Sequence, residues 1–138
     1  MIDSSGLLDK KNSKRVSPLI LVADDNKDNI DLIEFIVKAL NLKCIVAYDG
    51  QTAFDLAKDK LPDLILLDIV MPEINGIEVG KFIKRCLLTN HIPIVAVTGL
   101  TNPEHISQIE DAGFDDYLVK PFMIEDLESK LKHFLQIS

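Results

Sequence analysis

Apolar residues in this chain fall into short unbroken runs, separated by longer stretches in which they recur at helical spacing. The runs are Leu19–Ala23 (LILVA), Lys43–Ala47 (KCIVA), 64–67 (LILL), 94–97 (IVAV) and Asp116–Val119 (DYLV). Short runs bounded by turn residues predict strands buried on both faces, as in a parallel sheet covered by helices. Between the first two, Ile30, Ile33, Ile36, Val37 and Leu40 lie opposite Lys27, Asp31, Glu34 and Lys38, the pattern of an amphipathic helix. Ala53, Leu56 and Ala57 mark a second helix after the Tyr48-Asp49-Gly50 turn, ended by Pro62. Ile77, Phe82, Ile83 and Leu87 mark a third, expected to stop near Leu88. Asn102-Pro103-Glu104 opens a fourth, with Asn as cap and Pro at the first helical position. Its apolar face is only Ile106, Ile109 and Ala112, so it should be among the less firmly held elements. Ile124, Leu127, Leu131, Phe134 and Leu135 form the last helix.

Strict alternation of strand and helix predicts an α/β fold: a doubly wound, five-stranded parallel sheet with right-handed crossovers and helices on both faces. In such open sheets, ligands bind just outside the carboxyl ends of the strands. The residues ending the strands are therefore candidates for chemistry. They are Asp24 and Asp25 after the first, Asp68 after the third, Thr98 after the fourth and Lys120 after the fifth.

Length and composition narrow the picture. The 138 residues suit one domain, and 47% hydrophobic with 27% charged residues is ordinary for a globular chain. Residues 1–17 lack periodicity and are rich in Ser, Lys, Asp and Asn, so they are expected to form a flexible extension ahead of a folded domain at 18–138. The formal charge of −7 is uneven. Residues 1–18 hold Lys10, Lys11, Lys14 and Arg15 against Asp3 and Asp9, a net of +2, which leaves −9 on the rest. An acidic body repels phosphate backbones, and 6% aromatic content without Trp offers little for stacking bases, so direct nucleic-acid binding is not expected. Cys44 and Cys86 lack CxxC or His partners and read as free thiols in a reducing compartment. No apolar run is long enough to span a membrane and no signal peptide is evident, so a cytoplasmic location is expected.

Three carboxylates at one sheet edge repel one another. At about 4 Å and an effective dielectric near 20, each pair costs about 4 kcal/mol as an upper figure. Lys120 reduces the formal sum over Asp24, Asp25, Asp68 and Lys120 only to −2. A divalent cation would neutralise the remainder, and the all-oxygen donor set selects Mg²⁺, with Mn²⁺ possible, over zinc. A hydroxyl and an ammonium facing that ion make a receptor for phosphoryl oxygens. Taken singly the residues have plainer roles. Asp24 and Asp25 suit a helix N-terminus, Asp68 a loop start, Thr98 a satisfied hydroxyl and Lys120 a solvated ammonium. Their placement on four strand ends together is what turn chemistry alone does not produce.

Over residues 18–136 the sequence resembles a response-regulator receiver domain of two-component signalling. The resemblance rests on Asp24-Asp25, the LLDIVMPEINGIEV block around Asp68, Thr98-Gly99 and Lys120-Pro121-Phe122, all in family order. It implies a flavodoxin-like sheet of order 2-1-3-4-5, a cis Lys120–Pro121 bond and a Mg²⁺ site. Asp25, Asp68 and the backbone carbonyl of Val70 would bind that ion directly, with Asp24 acting largely through water. Asp68 would be the phosphoacceptor, served by a sensor histidine kinase or a histidine phosphotransfer protein. Lys120 would contact the phosphoryl oxygens, Gly99 would leave room beside them, and Thr98 would swing to hydrogen-bond one of them. Tyr117 matches the aromatic switch whose ring moves inward with Thr98; a half-packed strand aromatic is the other reading.

Departures from the family pattern also inform. Val70 and Leu100 are apolar where fast self-hydrolysing members carry polar groups, which predicts slow loss of phosphate. Met123 stands where many relatives have a capping Ser or Thr, so the last helix should start less firmly. The expected function is that of a stand-alone response regulator and not an enzyme. It would signal to a downstream protein, or through a dimer, by way of the fourth helix, fifth strand and last helix. A receiver-like interaction module without regulated phosphorylation is the alternative. An aspartyl phosphatase is a third reading, disfavoured because Val70 stands where such enzymes resemble DxD.

Overall fold

The computed structural model describes residues 17–71 and 75–137. In chain order the elements are β1 (Leu19–Ala23), α1 (Lys27–Ala39), β2 (Lys43–Ala47), α2 (Gly50–Lys60), β3 (Leu64–Asp68), α3 (Gly76–Arg85), β4 (Ile94–Thr98), α4 (Pro103–Asp111), β5 (Asp116–Val119) and α5 (Ile124–Leu135). The strands form one parallel sheet of order β2-β1-β3-β4-β5. Fold class and strand order are those expected from the sequence. The N-terminal extension, apart from Ser17, and Pro72 in the loop after Asp68 lie outside the described residues.

Strand alternation divides the core in two. Leu21, Ile65, Leu67, Ile94 and Ala96 pack beneath α2, α3 and α4, while Ile20, Val22, Leu64, Leu66 and Val97 pack beneath α1 and α5. The central β3 and β4 are buried at every position, whereas the edge strands β2 and β5 are only partly covered. This is the reason LILL and IVAV read as continuous apolar runs: each strand faces a core on both sides.

Four helices start on a side-chain cap. Asn26, Asp49, Asn75 and Asn102 accept the backbone N–H of Asn29, Thr52, Glu78 and His105 respectively, at 2.8–3.1 Å. The expected Asn102 cap with Pro103 at the helix start is present. Helix α5 has no side-chain cap from Met123; only the return half of a capping box exists, Met123 N–H donating to Asp126 Oδ2 at 3.4 Å. Within its helical span α4 buries only Ile109, in keeping with the thin apolar face read from the sequence.

One helix boundary differs from expectation. Helix α3 ends at Arg85, and Leu87 is 88% exposed, outside the helix and its buried face. The cause is local: Cys86 turns extended, and the buried Thr89 hydroxyl donates to the Ile83 carbonyl at 2.7 Å, satisfying a helix-end acceptor that another turn would have used. Apolar spacing through Leu87 carries no trace of that bond.

Glycine at the start of α3 has a steric cause. Its N–H donates to the Ile69 carbonyl at 2.7 Å, and a Cβ on Gly76 would collide with the Asp68 carbonyl oxygen and stand 2.7 Å from Ile69 Cα. Backbone cannot yield there cheaply. Gly76→Ala is expected to lower stability by about 1–3 kcal/mol, the range for forced overpacking, whereas Gly99→Ala, whose Cβ would meet nothing within 4 Å, should stay within about 0.5 kcal/mol of the parent. Urea unfolding of the two variants side by side checks this; equal losses would refute the steric account.

Candidate functional site

The sheet register decides which strand ends meet. Ala23 is paired with Leu67, so Asp24 and Asp68 follow at the same level on adjacent strands. Asp68 is paired with Val97, and Thr98 with Val119, so Thr98 and then Lys120 each stand just beyond the previous strand's end. The backbone continues the ladder into this edge: Asp24 N–H donates to Ala47 O at 3.1 Å, Ile69 N–H to Val97 O at 3.1 Å, and Lys120 N–H to Thr98 O at 2.8 Å. The first of the crossovers to reverse direction leaves its crevice between β1 and β3, where Asp24 and Asp68 sit.

One carboxylate oxygen from each of Asp24, Asp25 and Asp68 lies within 4.8 Å of the others. Asp24 and Asp68 are buried and Asp25 is exposed. Asp24 is held from two sides, its Oδ1 accepting the Asn26 N–H at 2.9 Å and its Oδ2 the Asn29 side-chain amide at 3.2 Å. Asp68 Oδ1 accepts the Val70 N–H at 3.1 Å. Lys120 reaches both buried acids, with Nζ 3.6 Å from Asp24 Oδ2 and 3.3 Å from Asp68 Oδ2. The Lys120–Pro121 bond is cis, as the family resemblance implied.

Burial first, and then the neighbouring Asp24 carboxylate, push the Asp68 carboxyl up to about 6, against the opposing pull of the Val70 N–H and the Lys120 ammonium. The site therefore resists full ionisation, and any hard cation entering it competes with a proton. The donors suit such an ion. All are oxygens, Asp25 makes no hydrogen bond or ion pair among the described residues, and neither does the Val70 carbonyl.

Thr98 and Tyr117 lie beside this cluster. Thr98 is buried, and its hydroxyl bonds to Leu100 and to His105 rather than to Asp68 or Lys120. Tyr117 is half-buried on β5, packed against the core beneath α2, α3 and α4. The Val70 and Leu100 side chains flank the site and are 68% and 52% exposed, with no polar atom to offer. Met71 is buried and packs in the core. The structure thus brings Asp24, Asp25, Asp68 and Lys120 together and sets Thr98 at the border. Sequence reasoning missed Asn29 and His105. Asn29 carries a faint signal, a polar residue in the first helical turn after an acid pair. His105 carries none, because it reads as one of three scattered histidines.

A doubly wound sheet of order 2-1-3-4-5, with its polar site at the point where the strand order reverses, defines a flavodoxin-like α/β protein. Within that class, the profile described as the response regulator receiver domain matches residues 20–132, and the chain belongs to that family. The polar-differentiation response regulator DivK of Brucella anthropi is 33% identical over 116 residues, covering 84% of this chain and 94% of that one. Among solved structures, the chemotaxis protein CheY4 of Vibrio cholerae superposes with a TM-score of 0.82 at 26% identity, over 86% of this chain and 99% of that one. The receiver domain of the sensor histidine kinase PA1611 from Pseudomonas aeruginosa, with a magnesium ion coordinated in its active site cleft, gives 0.81 at 27% identity, over 88% and 99%.

The raised Asp68 carboxyl makes stability depend on pH in a defined direction. Its folded value lies above the unfolded one, so the folded state binds more protons through the window from 3.8 to about 6. Stability is accordingly highest below 3.8 for this group, and it falls as pH rises through the window, by on the order of 1–3 kcal/mol. Chelator-treated protein and its Asp68→Asn variant, unfolded in urea at both ends of the window, should differ more at the upper end, with the variant gaining. A gap of the same size at both ends would contradict the assignment.

Proposed function

We propose that this chain is a phosphoryl-accepting response regulator in which Asp68 is the acceptor. The observation that carries the reading is Lys120 spanning the two buried carboxylates of Asp24 and Asp68. Burying two like charges is unfavourable, and folding alone gives no reason to put them side by side. A site that must gather cation, carboxylate nucleophile and phosphoryl oxygens gives one.

A Mg²⁺ ion, or Mn²⁺, fits Asp25, Asp68 and the Val70 carbonyl, and when bound it would supply the positive charge that the three acids lack. Asp24 stays further back, fixed by Asn26 and Asn29. In phosphotransfer a carboxylate oxygen of Asp68 forms a bond to phosphorus as the phosphorus–nitrogen bond of a phosphohistidine donor breaks. The imidazole leaves and takes up a proton, and the product is an acyl phosphate. Lys120, released from its pairing with Asp68, faces the new phosphoryl oxygens, and Thr98 turns its hydroxyl toward one of them. Tyr117 follows Thr98 inward. The reordered surface is α4, β5 and α5, which a downstream protein or a second copy of the chain would read.

The donor would be a sensor histidine kinase or a histidine phosphotransfer protein, and the setting the cytoplasm. Two free cysteines support that setting, and no helix among the described residues is long and apolar enough to cross a membrane. The acidic body supports protein rather than nucleic-acid partners. The chain turns over no external substrate in this scheme; its only catalysis is of its own phosphorylation and slow dephosphorylation. The related proteins named as response regulators support the same reading.

Intact mass after incubation with a small phosphodonor such as acetyl phosphate and Mg²⁺ should show gain of one phosphoryl group. Asp68→Asn and added chelator should each abolish it. No gain under rapid sampling, together with no binding of beryllium fluoride, would overturn the reading in favour of an interaction module.

The apolar flank predicts the phosphoryl lifetime. Neither Val70 nor Leu100 has a side-chain polar atom to orient an attacking water. The phosphorylated protein should therefore decay over minutes or longer, and Leu100→Gln should shorten its half-life. Decay of the parent within seconds would contradict this account.

A further inference from the structure

The Thr98 hydroxyl has three polar neighbours. The Leu100 N–H donates to it at 3.1 Å, His105 Nε2 stands 3.0 Å away, and the Leu100 carbonyl is at 3.4 Å. A hydroxyl offers one proton and two lone pairs, and Leu100 N–H takes one lone pair. His105 engages what remains in either ring tautomer. Nε2 accepts the Thr98 proton, or its N–H donates to the second lone pair while the Thr98 proton turns to the Leu100 carbonyl.

The geometry behind this contact is built in. Thr98 continues the side of β4 that carries Ile94 and Ala96, which faces α2, α3 and α4. His105 sits in the first turn of α4, anchored by its own N–H donating to the Asn102 cap at 2.9 Å, with Pro103 at the helix start. Its ring is half-buried. The histidine thus stands in the capped first turn of α4 with its ring against a buried hydroxyl, in the one helix whose helical span buries a single side chain.

We infer that His105 is a positioning residue, a latch that holds the Thr98 hydroxyl turned toward α4 and away from Asp68. The inference rests on the phosphoryl-acceptor reading above. Turning the Thr98 hydroxyl toward a phosphoryl oxygen on Asp68 carries it away from the His105 ring and breaks the Thr98–His105 hydrogen bond, so His105 biases the resting state and at the same time releases a tie between β4 and α4 when the site fills. Coupling of this kind is reciprocal. A partner that draws His105 away through α4 strengthens phosphoryl binding at Asp68 by the same factor.

The test is a beryllium fluoride titration in Mg²⁺, followed by NMR, on the parent, His105→Ala and His105→Phe. The phenylalanine keeps a flat ring and loses both nitrogens. Each variant should bind the mimic about threefold to tenfold more tightly, the effect of one lost hydrogen bond in the resting state. In a Thr98→Val background the same His105 substitutions should have no effect, because the hydroxyl they act through is gone. In the parent, the His105 Nε2 nitrogen resonance should move as the mimic binds, a readout that needs no variant to fold. Unchanged affinity in the variants, an effect persisting in Thr98→Val, or a stationary Nε2 resonance would each overturn the latch while leaving the phosphoryl-acceptor reading intact. Failure of the parent to bind the mimic at all would overturn both.

Discussion

Two buried carboxylates on adjacent strands, with one ammonium reaching both, form the constraint on which the rest of this structure turns. Neither Asp24 nor Asp68 can retreat to solvent, because the register of β1 against β3 places them level and the loops that follow are pinned by hydrogen bonds back to their own side chains. Charge that cannot be avoided must be compensated, and Lys120 does so from the far end of the sheet. The compensation is incomplete: burial and then the Asp24 charge raise the Asp68 carboxyl, and Lys120 lowers it only in part. The three acids leave the site short of positive charge, and their all-oxygen donor set is of the kind that suits a hard cation.

The scaffold explains how such a cluster is tolerated. β3 and β4 are buried at every position, with apolar packing on both faces, and that core absorbs the cost of the polar edge. Strand ends are rigid because the backbone ladder runs one residue past each strand, from Asp24 to Ala47, Ile69 to Val97 and Lys120 to Thr98. Gly76 allows the α3 backbone to press against the Asp68 carbonyl, so the loop that follows Asp68 is closed by backbone contact rather than by a side chain. Rigidity is concentrated where the acids sit.

Mobility belongs on the other side of the site. Thr98 is tied to Leu100 and His105, contacts within one loop and one helix turn, and α4 holds to the core chiefly through Ile109. Elements with few buried contacts open at low cost. The arrangement thus places a firmly held acidic cluster between β1 and β3 and a helix with a thin buried face, α4, beside β4. The Thr98 hydroxyl lies at the boundary between them and is bonded on the α4 side, to Leu100 and His105.

Periodicity made the five strands and the chemistry at their ends legible, because a strand buried on two faces must be apolar until it leaves the core, and the first polar residue marks the exit. Asp24, Asp68, Thr98 and Lys120 were visible for that reason, and the resemblance added the strand order and the cis bond seen at Lys120–Pro121. Contacts that break periodicity were not legible. The end of α3 at Arg85 depends on a Thr89 hydroxyl folding back onto Ile83, so Leu87 looked like a core residue and is exposed. Asn29 holding Asp24, and His105 on Thr98, each join residues through a loop whose path no spacing rule encodes. The sequence by itself determined which side chains would arrive at the sheet edge, since burial is written in the alternation of apolar and polar positions. Only the tertiary structure decided their pairing, with Lys120 between two acids and Thr98 turned toward His105, because hydrogen bonds depend on distances of a few tenths of an ångström that emerge after the helices have packed.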